Sequence, residues 1–347
     1  MLWAIALFAL LELGLQVRSQ LRFGQSVFNL AFEEPMYSFD AELGLKLLTP
    51  NARHDGSLAS IQSNSMGLRS PDIAQAKAAG EYRVALVGAS SIMGAYSKTN
   101  EHTLAAFLQA RLRKTMPQRE VHVINAGIAG ASMDDQRKML HYIAPLSPDL
   151  VIFYTGFNDL AGYCRKPGEA AGASSWRLPS VGSPSFLLST DLLLKNTVFL
   201  RTKPQTAVPD IDPHTLDTSE FHQDVSELLD TAKTLGLHAV LATVARSYRE
   251  TQPLEKQEQL AATALYYHPC FTLPALHRVH DLHNAILRRA ARDAGVPLVD
   301  LANEMPGGRR YFADASHFSE AGERRAASIL YEAIWGTATP RREAPQQ

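Results

Sequence analysis

A carboxylate and an imidazole stand three residues apart in "FADASHFSEAG", residues 312–322: Asp314 and His317. On a turn, that spacing lets the Asp314 carboxylate reach one ring nitrogen of His317 and leaves the other nitrogen to act as a base. A base needs a group to deprotonate, and "VALVGASSIMG" offers a hydroxyl at Ser90 or Ser91, just after an apolar run. Serine is a poor nucleophile until its proton is removed. Two further turns hold groups able to meet the oxyanion that attack on a carbonyl creates. The glycines of "NAGIAGAS" let a backbone N–H approach a ligand closely, and Asn158 in "YTGFNDL" carries an amide donor. Singly, each has a plainer reading as a helix cap or an Asx turn. Together they describe acyl transfer.

These groups are far apart in the chain, so a fold must unite them. From residue 82 short β-rich runs alternate with helical spacing: "YRVALVG", "VHVINAG", "PDLVIFYTG", "LHAVLATV" and "VPLVDL" read as five strands. Helices are expected between them, including 218–235, 272–294 and 319–335. Alternation of this kind predicts a parallel sheet covered on both faces, an α/β fold of three layers, α/β/α. In such sheets ligands sit outside the carboxyl ends of the strands, where all these turns fall. Residues 161–216, rich in Gly, Pro and Ser, are too long for a plain βα connection and read as an insertion placed to wall or cover a pocket. Residues 36–73 carry too many turn-formers for helix and are expected to be extended segments and loops.

With "GASSIMG", "NAGIAG", "GFND" and "DASH" occurring in this order, the chain resembles the SGNH hydrolases, the GDSL esterase and lipase superfamily. The likeness covers roughly residues 82–335. "NSMGLR" and "ELGLKLLTPN" also look like the segment preceding the domain in bacterial, N-terminally anchored members. The resemblance implies a five-stranded, flavodoxin-like sheet and a Ser-His-Asp triad of Ser90, His317 and Asp314. It places Ser90, rather than Ser91, at the nucleophile position, because Gly88 lies two before it and Gly94 four after it. The backbone N–H groups of Ser90 and Gly130 and the Asn158 amide would form the oxyanion hole. Ala89 stands where the family has the Asp of G-D-S, which implies a changed local hydrogen-bond network rather than lost catalysis. Ile92, where an α/β-hydrolase elbow needs glycine, argues against that fold. The implied activity is hydrolysis of acyl or acetyl esters, on envelope carbohydrates or lipids, with neither cofactor nor metal. Two alternatives use the same chain: O-acyl transfer to a polysaccharide, and a catalytically silent glycan-binding or scaffold protein.

The remaining features bound the setting. The chain has 347 residues and a formal net charge of −1, which gives no electrostatic footprint for nucleic acid. His277, His280 and His283 are spaced by three on an expected helix and so do not share one face; a metal site is not expected there. Cys164 and Cys270 read as free buried thiols, or as a disulfide in an oxidising compartment. "MLWAIALFALLELGLQV" is apolar, has no cleavage pattern after it, and reads over residues 1–22 as an uncleaved membrane anchor or signal-like helix, the alternative being an amphipathic helix packed on the domain. The enzymatic domain is expected in the periplasm or outside the cell, although Arg18 and Arg22 follow the apolar run and no Lys or Arg precedes it, a charge balance that favours the opposite orientation. Four regions follow: the anchor, an extended segment at 23–80, the hydrolase domain at 81–337, and a disordered tail at 338–347.

Overall fold

The computed structural model describes residues 2–23, 36–55, 59–164 and 215–336. The N-terminal apolar segment forms helix α1 (Leu2–Phe23). Among the described residues no helix is long and apolar enough to cross a membrane, so the expected span is not seen. From its middle onward α1 is interrupted by Glu12, Gln16 and Arg18, and Gln16 Nε2 donates to Glu12 Oε1 one turn away at 2.8 Å. The turn-rich stretch that follows forms two small antiparallel hairpins: β1 (Tyr37–Asp40) with β2 (Leu45–Leu48), and β3 (Arg53–Asp55) with β4 (Ser60–Gln62). Leu45, Leu47 and Leu68 belong to the same buried cluster as the central sheet. The N-terminal stretch is thus packed into the domain that follows it.

The central sheet begins at β5 (Tyr82–Gly88), where six of the seven residues are buried, as expected of a parallel strand covered on both faces. A single-turn helix α2 (Ser90–Met93) follows directly, then α3 (Leu104–Thr115), β6 (Val121–Gly127), α4 (Met133–Ile143) and β7 (Leu150–Tyr154). Beyond these come α5 (Ser219–Thr234), β8 (Ala239–Ala242), α6 (Leu254–Tyr267), α7 (Leu273–Ala294), β9 (Leu298–Val299), α8 (Leu301–Glu304) and α9 (Glu320–Trp335). The five strands are parallel in the order β6-β5-β7-β8-β9. Chain order therefore reverses at β5, with β6 on one side and β7 on the other. That reversal opens a crevice at the carboxyl ends, since the connections after β5 and β6 leave on opposite sides of the sheet. Helices α3 and α9 pack together, as do α4, α5 and α7, which completes three layers.

Helix α6 was not visible as a period in the sequence, because only Gln257, Leu260, Ala261 and Ala264 of its fourteen residues are buried, too narrow a stripe to read. The expected insertion at 161–216 lies, from residue 165 to 214, outside the described residues, and so does the tail at 338–347.

The ends of the strands are level: Gly88 is in register with Gly127 on one side and Tyr154 on the other. Gly127 is required by proximity. A Cβ there would lie 2.2 Å from Met93 N and 2.7 Å from Ile92 C, both backbone atoms of α2. The last residue of β6 is therefore what α2 rests on. Gly127→Ala is expected to cost about 3 kcal/mol or more through overpacking and to lower turnover by displacing α2. Urea unfolding beside wild type checks this, and an unchanged midpoint would mean that α2 yields freely.

Candidate active site

Ser90 is the first residue of α2, immediately after β5. Ala89 occupies the N-cap without a side-chain bond, so the departure from G-D-S leaves this turn uncapped by a side chain. The turn is closed from its other end: Gly94 adopts φ 79°, and its N–H donates to the Ser90 carbonyl. Ser91, the other serine of the pair, is 8% exposed, and its Oγ donates to the Ser316 carbonyl at 3.2 Å. Ser91 thus fastens the serine turn to the histidine turn, while Ser90 Oγ faces His317.

The histidine turn is built by Asp314. Its Oδ1 accepts the backbone N–H groups of Ser316 at 3.0 Å and His317 at 2.9 Å, and its Oδ2 accepts from His317 Nδ1 at 2.7 Å. Burial of Asp314 would raise its carboxyl, but these bonds outweigh it and hold the group below the usual carboxylate range. Because an ionised carboxylate only accepts, the His317 proton sits on Nδ1. Nε2 then presents a lone pair, and Ser90 Oγ donates to it at 2.7 Å. The ring of Tyr96 flanks the imidazole at 5.2 Å. Burial and the neighbouring Asp314 carboxylate raise its phenol above the ordinary value. Tyr96 gave no signal in the sequence.

The two remaining turns meet each other. Asn158 follows β7 and opens a short 3-10 helix (Asn158–Cys164); its Nδ2 donates to the Ala131 carbonyl at 2.9 Å, next to Gly130. Asp159 Oδ1 accepts the Met133 N–H at 3.3 Å, at the start of α4. Burial pushes the Asp159 carboxyl up to about 6. Ser132 and Asp135 complete that helix start as a capping box. Gly130 is exposed at φ 78°, and a Cβ there would meet nothing within 4 Å. A carboxamide has two N–H groups, of which Ala131 takes one.

Behind Asn158 lies a buried aromatic cluster that the sequence showed only as spaced histidines. His283 Nδ1 donates to the Gly156 carbonyl at 3.2 Å, and its Nε2 accepts from the Tyr163 hydroxyl at 2.9 Å. The His283 ring stacks on Phe221 at 3.7 Å. Phe157, beside Asn158, lies between His268 and His280. All of His277, His280 and His283 are buried, because α7 is covered by the sheet on one side and by α6 on another. Among the described residues no group of three His, Cys, Asp or Glu side chains could hold a metal ion. The end of the 3-10 helix is fixed by a disulfide from Cys164 to Cys270, with Cα atoms 5.3 Å apart.

The geometry thus unites a serine, a histidine and an aspartate in one hydrogen-bonded line, beside two turns rich in N–H donors. The sequence model of the GDSL-like lipase/acylhydrolase family matches residues 86–325, from β5 into α9. The chain belongs to this family. It is accordingly a serine hydrolase of ester bonds. A GDSL-like lipase from Bacteroides thetaiotaomicron VPI-5482 is 15% identical, with 77% of this chain and 93% of that one covered at a TM-score of 0.44. A lipase/acylhydrolase from Enterococcus faecalis is 17% identical, with 74% and 96% covered and a TM-score of 0.44. Axe2, an acetylxylan esterase from Geobacillus stearothermophilus, is 15% identical, with 74% and 95% covered and a TM-score of 0.45. No curated protein sequence matches the chain.

The buried histidines set a pH dependence for the fold. Burial holds His268, His277 and His283 down to about 4, and His280 well below its ordinary value. Their folded values lie under the unfolded value of about 6.5, so the folded state binds fewer protons, and stability is lost as pH falls from 6.5 through 4. Glu323 acts in the other direction, since burial raises it to about 8, and Asp159 follows it. Four histidines outweigh two acids, so the melting temperature is expected to fall on acidification across that window. His280→Leu should flatten the slope. A melting temperature that rises steadily from pH 6.5 to 4 in scanning fluorimetry would contradict this account.

Proposed function

We propose that Ser90, His317 and Asp314 are the catalytic triad of an esterase that hydrolyses acyl or acetyl esters of small molecules or carbohydrates. The observation that carries this reading is the unbroken line from Ser90 Oγ to His317 to Asp314, with both bonds at 2.7 Å. Ser90 Oγ attacks the ester carbonyl while its proton passes to His317 Nε2, and Asp314 stabilises the imidazolium. The backbone N–H groups of Ser90 and Gly130 and the second N–H of the Asn158 amide receive the oxyanion. As the tetrahedral adduct collapses, His317 returns the proton to the departing alkoxide, leaving the acyl group on Ser90. His317 then deprotonates water, which attacks the acyl-enzyme and releases the acid and the free serine.

Ser90→Ala and His317→Gln are each expected to lower kcat on an acetyl ester by at least about 1000-fold. Asn158→Ala should cost about 100- to 1000-fold, through loss of one oxyanion donor. Product analysis with and without an acetylated oligosaccharide, and fluorophosphonate labelling, provide the readouts. Labelling and ester cleavage that persist in Ser90→Ala would overturn the assignment.

The same proposal places the enzyme outside the reducing cytosol, attached to a lipid surface through α1. The Cys164–Cys270 bond supports the first part, since disulfides persist where thiol reductants are scarce. The exposed Trp3, Leu7, Leu10 and Leu21 of α1 support the second. In fractionated cells the protein should sediment with membranes, and its cysteines should resist a maleimide until reductant is added. A soluble pool with freely alkylated cysteines would refute both parts.

A further inference from the structure

The segment "NSMGLRS", ahead of the central sheet, contributes no residue to the triad or the oxyanion turns. It delivers Arg69, 2% exposed, beneath the serine turn. Asn64 shapes the approach: its Oδ1 accepts the N–H groups of Met66 and Leu68, with Gly67 at φ 68° between them. The guanidinium is then fully engaged. Nε donates to Asn100 Oδ1 at 2.9 Å. Nη1 donates to the carbonyls of Gly94 at 2.5 Å and Met93 at 3.3 Å. Nη2 donates to the carbonyls of Ser97 at 3.0 Å and Ser60 at 3.0 Å.

Three of these carbonyls, at 93, 94 and 97, belong to the turn that ends α2. The last carbonyls of a helix have no partner within it, and a helix of four residues has little else to hold it. Gly94 N–H and Ala95 N–H both donate to the Ser90 carbonyl, at 3.0 and 3.1 Å. The backbone of Ser90 is therefore tied to Gly94, and Gly94 to Arg69. The network continues across the site: Ser97 Oγ donates to Glu323 Oε1 at 2.8 Å, and the Leu104 N–H donates to Glu323 Oε2 at 3.0 Å. Glu323 lies on α9, which starts just after the histidine turn. Burial lowers the Arg69 guanidinium to about 10, which leaves it a cation at neutral pH.

We infer that Arg69 is a positioning residue for the nucleophile: it caps the carbonyl end of α2 and fixes Ser90 in line with His317, making the segment ahead of the central sheet part of the reaction machinery. This rests on Ser90 being the nucleophile. Misplacing a nucleophile by a fraction of an ångström penalises the attack itself rather than the binding of a small ester. A planar fork that meets carbonyls from several directions is not replaced by an ammonium.

The test uses full-length Arg69→Ala, Arg69→Gln and Arg69→Lys, with Ser90→Ala in parallel. kcat and KM on p-nitrophenyl acetate are measured per active site, titrated with a fluorophosphonate on protein shown to be folded by circular dichroism. All three arginine variants are expected to lose about 10- to 100-fold in kcat, with KM within about twofold of wild type. Ethylguanidinium at sub-denaturing concentration should restore part of kcat to Arg69→Ala and none to wild type. If Arg69→Ala does not fold, Arg69→Gln and Arg69→Lys carry the same comparison. Wild-type kcat per titrated site in a folded variant, or a loss confined to KM, would overturn the inference. Activity remaining in Ser90→Ala would instead sink the assignment of the nucleophile.

Discussion

His317 has two ring nitrogens, and the site depends on their being different. Asp314 fixes the difference: a carboxylate can only accept, so the proton stays on Nδ1 and the lone pair on Nε2 is turned to Ser90. The same carboxylate accepts two backbone N–H groups of its own turn, so the imidazole is oriented by the chain that carries it. One short loop thus sets both tautomer and direction. What the rest of the molecule must supply is a hydroxyl at the right place and donors around it.

A parallel sheet does this through its topology. Reversal of strand order at β5 leaves room beyond its carboxyl end, and the level register of Gly88, Gly127 and Tyr154 brings three turns to one rim. Contact between the turns is then enforced by small residues and clips. Gly127 lets α2 settle on β6, Ser91 ties α2 to the histidine turn, and Asn158 with Asp159 ties the β7 turn to the start of α4. Each of these is a backbone approach or a hydrogen bond to backbone. The side chains available for chemistry are held from below.

How much of this was legible follows from the range of the signals. The five strands and the helices over 218–235, 272–294 and 319–335 were readable, because burial on both faces or one face imprints a local pattern. Helix α6 left too thin a stripe. Asp314 and His317 could be paired because three residues separate them on one turn, whereas Ser90 lies 227 residues from His317 and its approach has no local signature beyond the family resemblance. Strand order has no local signature, and neither does the buried company of His268, His280 and His283, which comes from three separate elements. Arg69 is the instructive case. In sequence it is one arginine in a loop, and its importance lies wholly in carbonyls that approach it from later in the chain.

The bond between Cys164 and Cys270 spans 106 residues, which orders events during synthesis. Cys164 and the amide-bearing turn leave the ribosome well before β8, α6 and the second cysteine do. Until the second cysteine follows, the Cys164 thiol has no partner within the same chain. With two cysteines in all, a pairing error can only join this chain to another molecule, so mispaired material would be intermolecular species from dimers upward and never scrambled monomers.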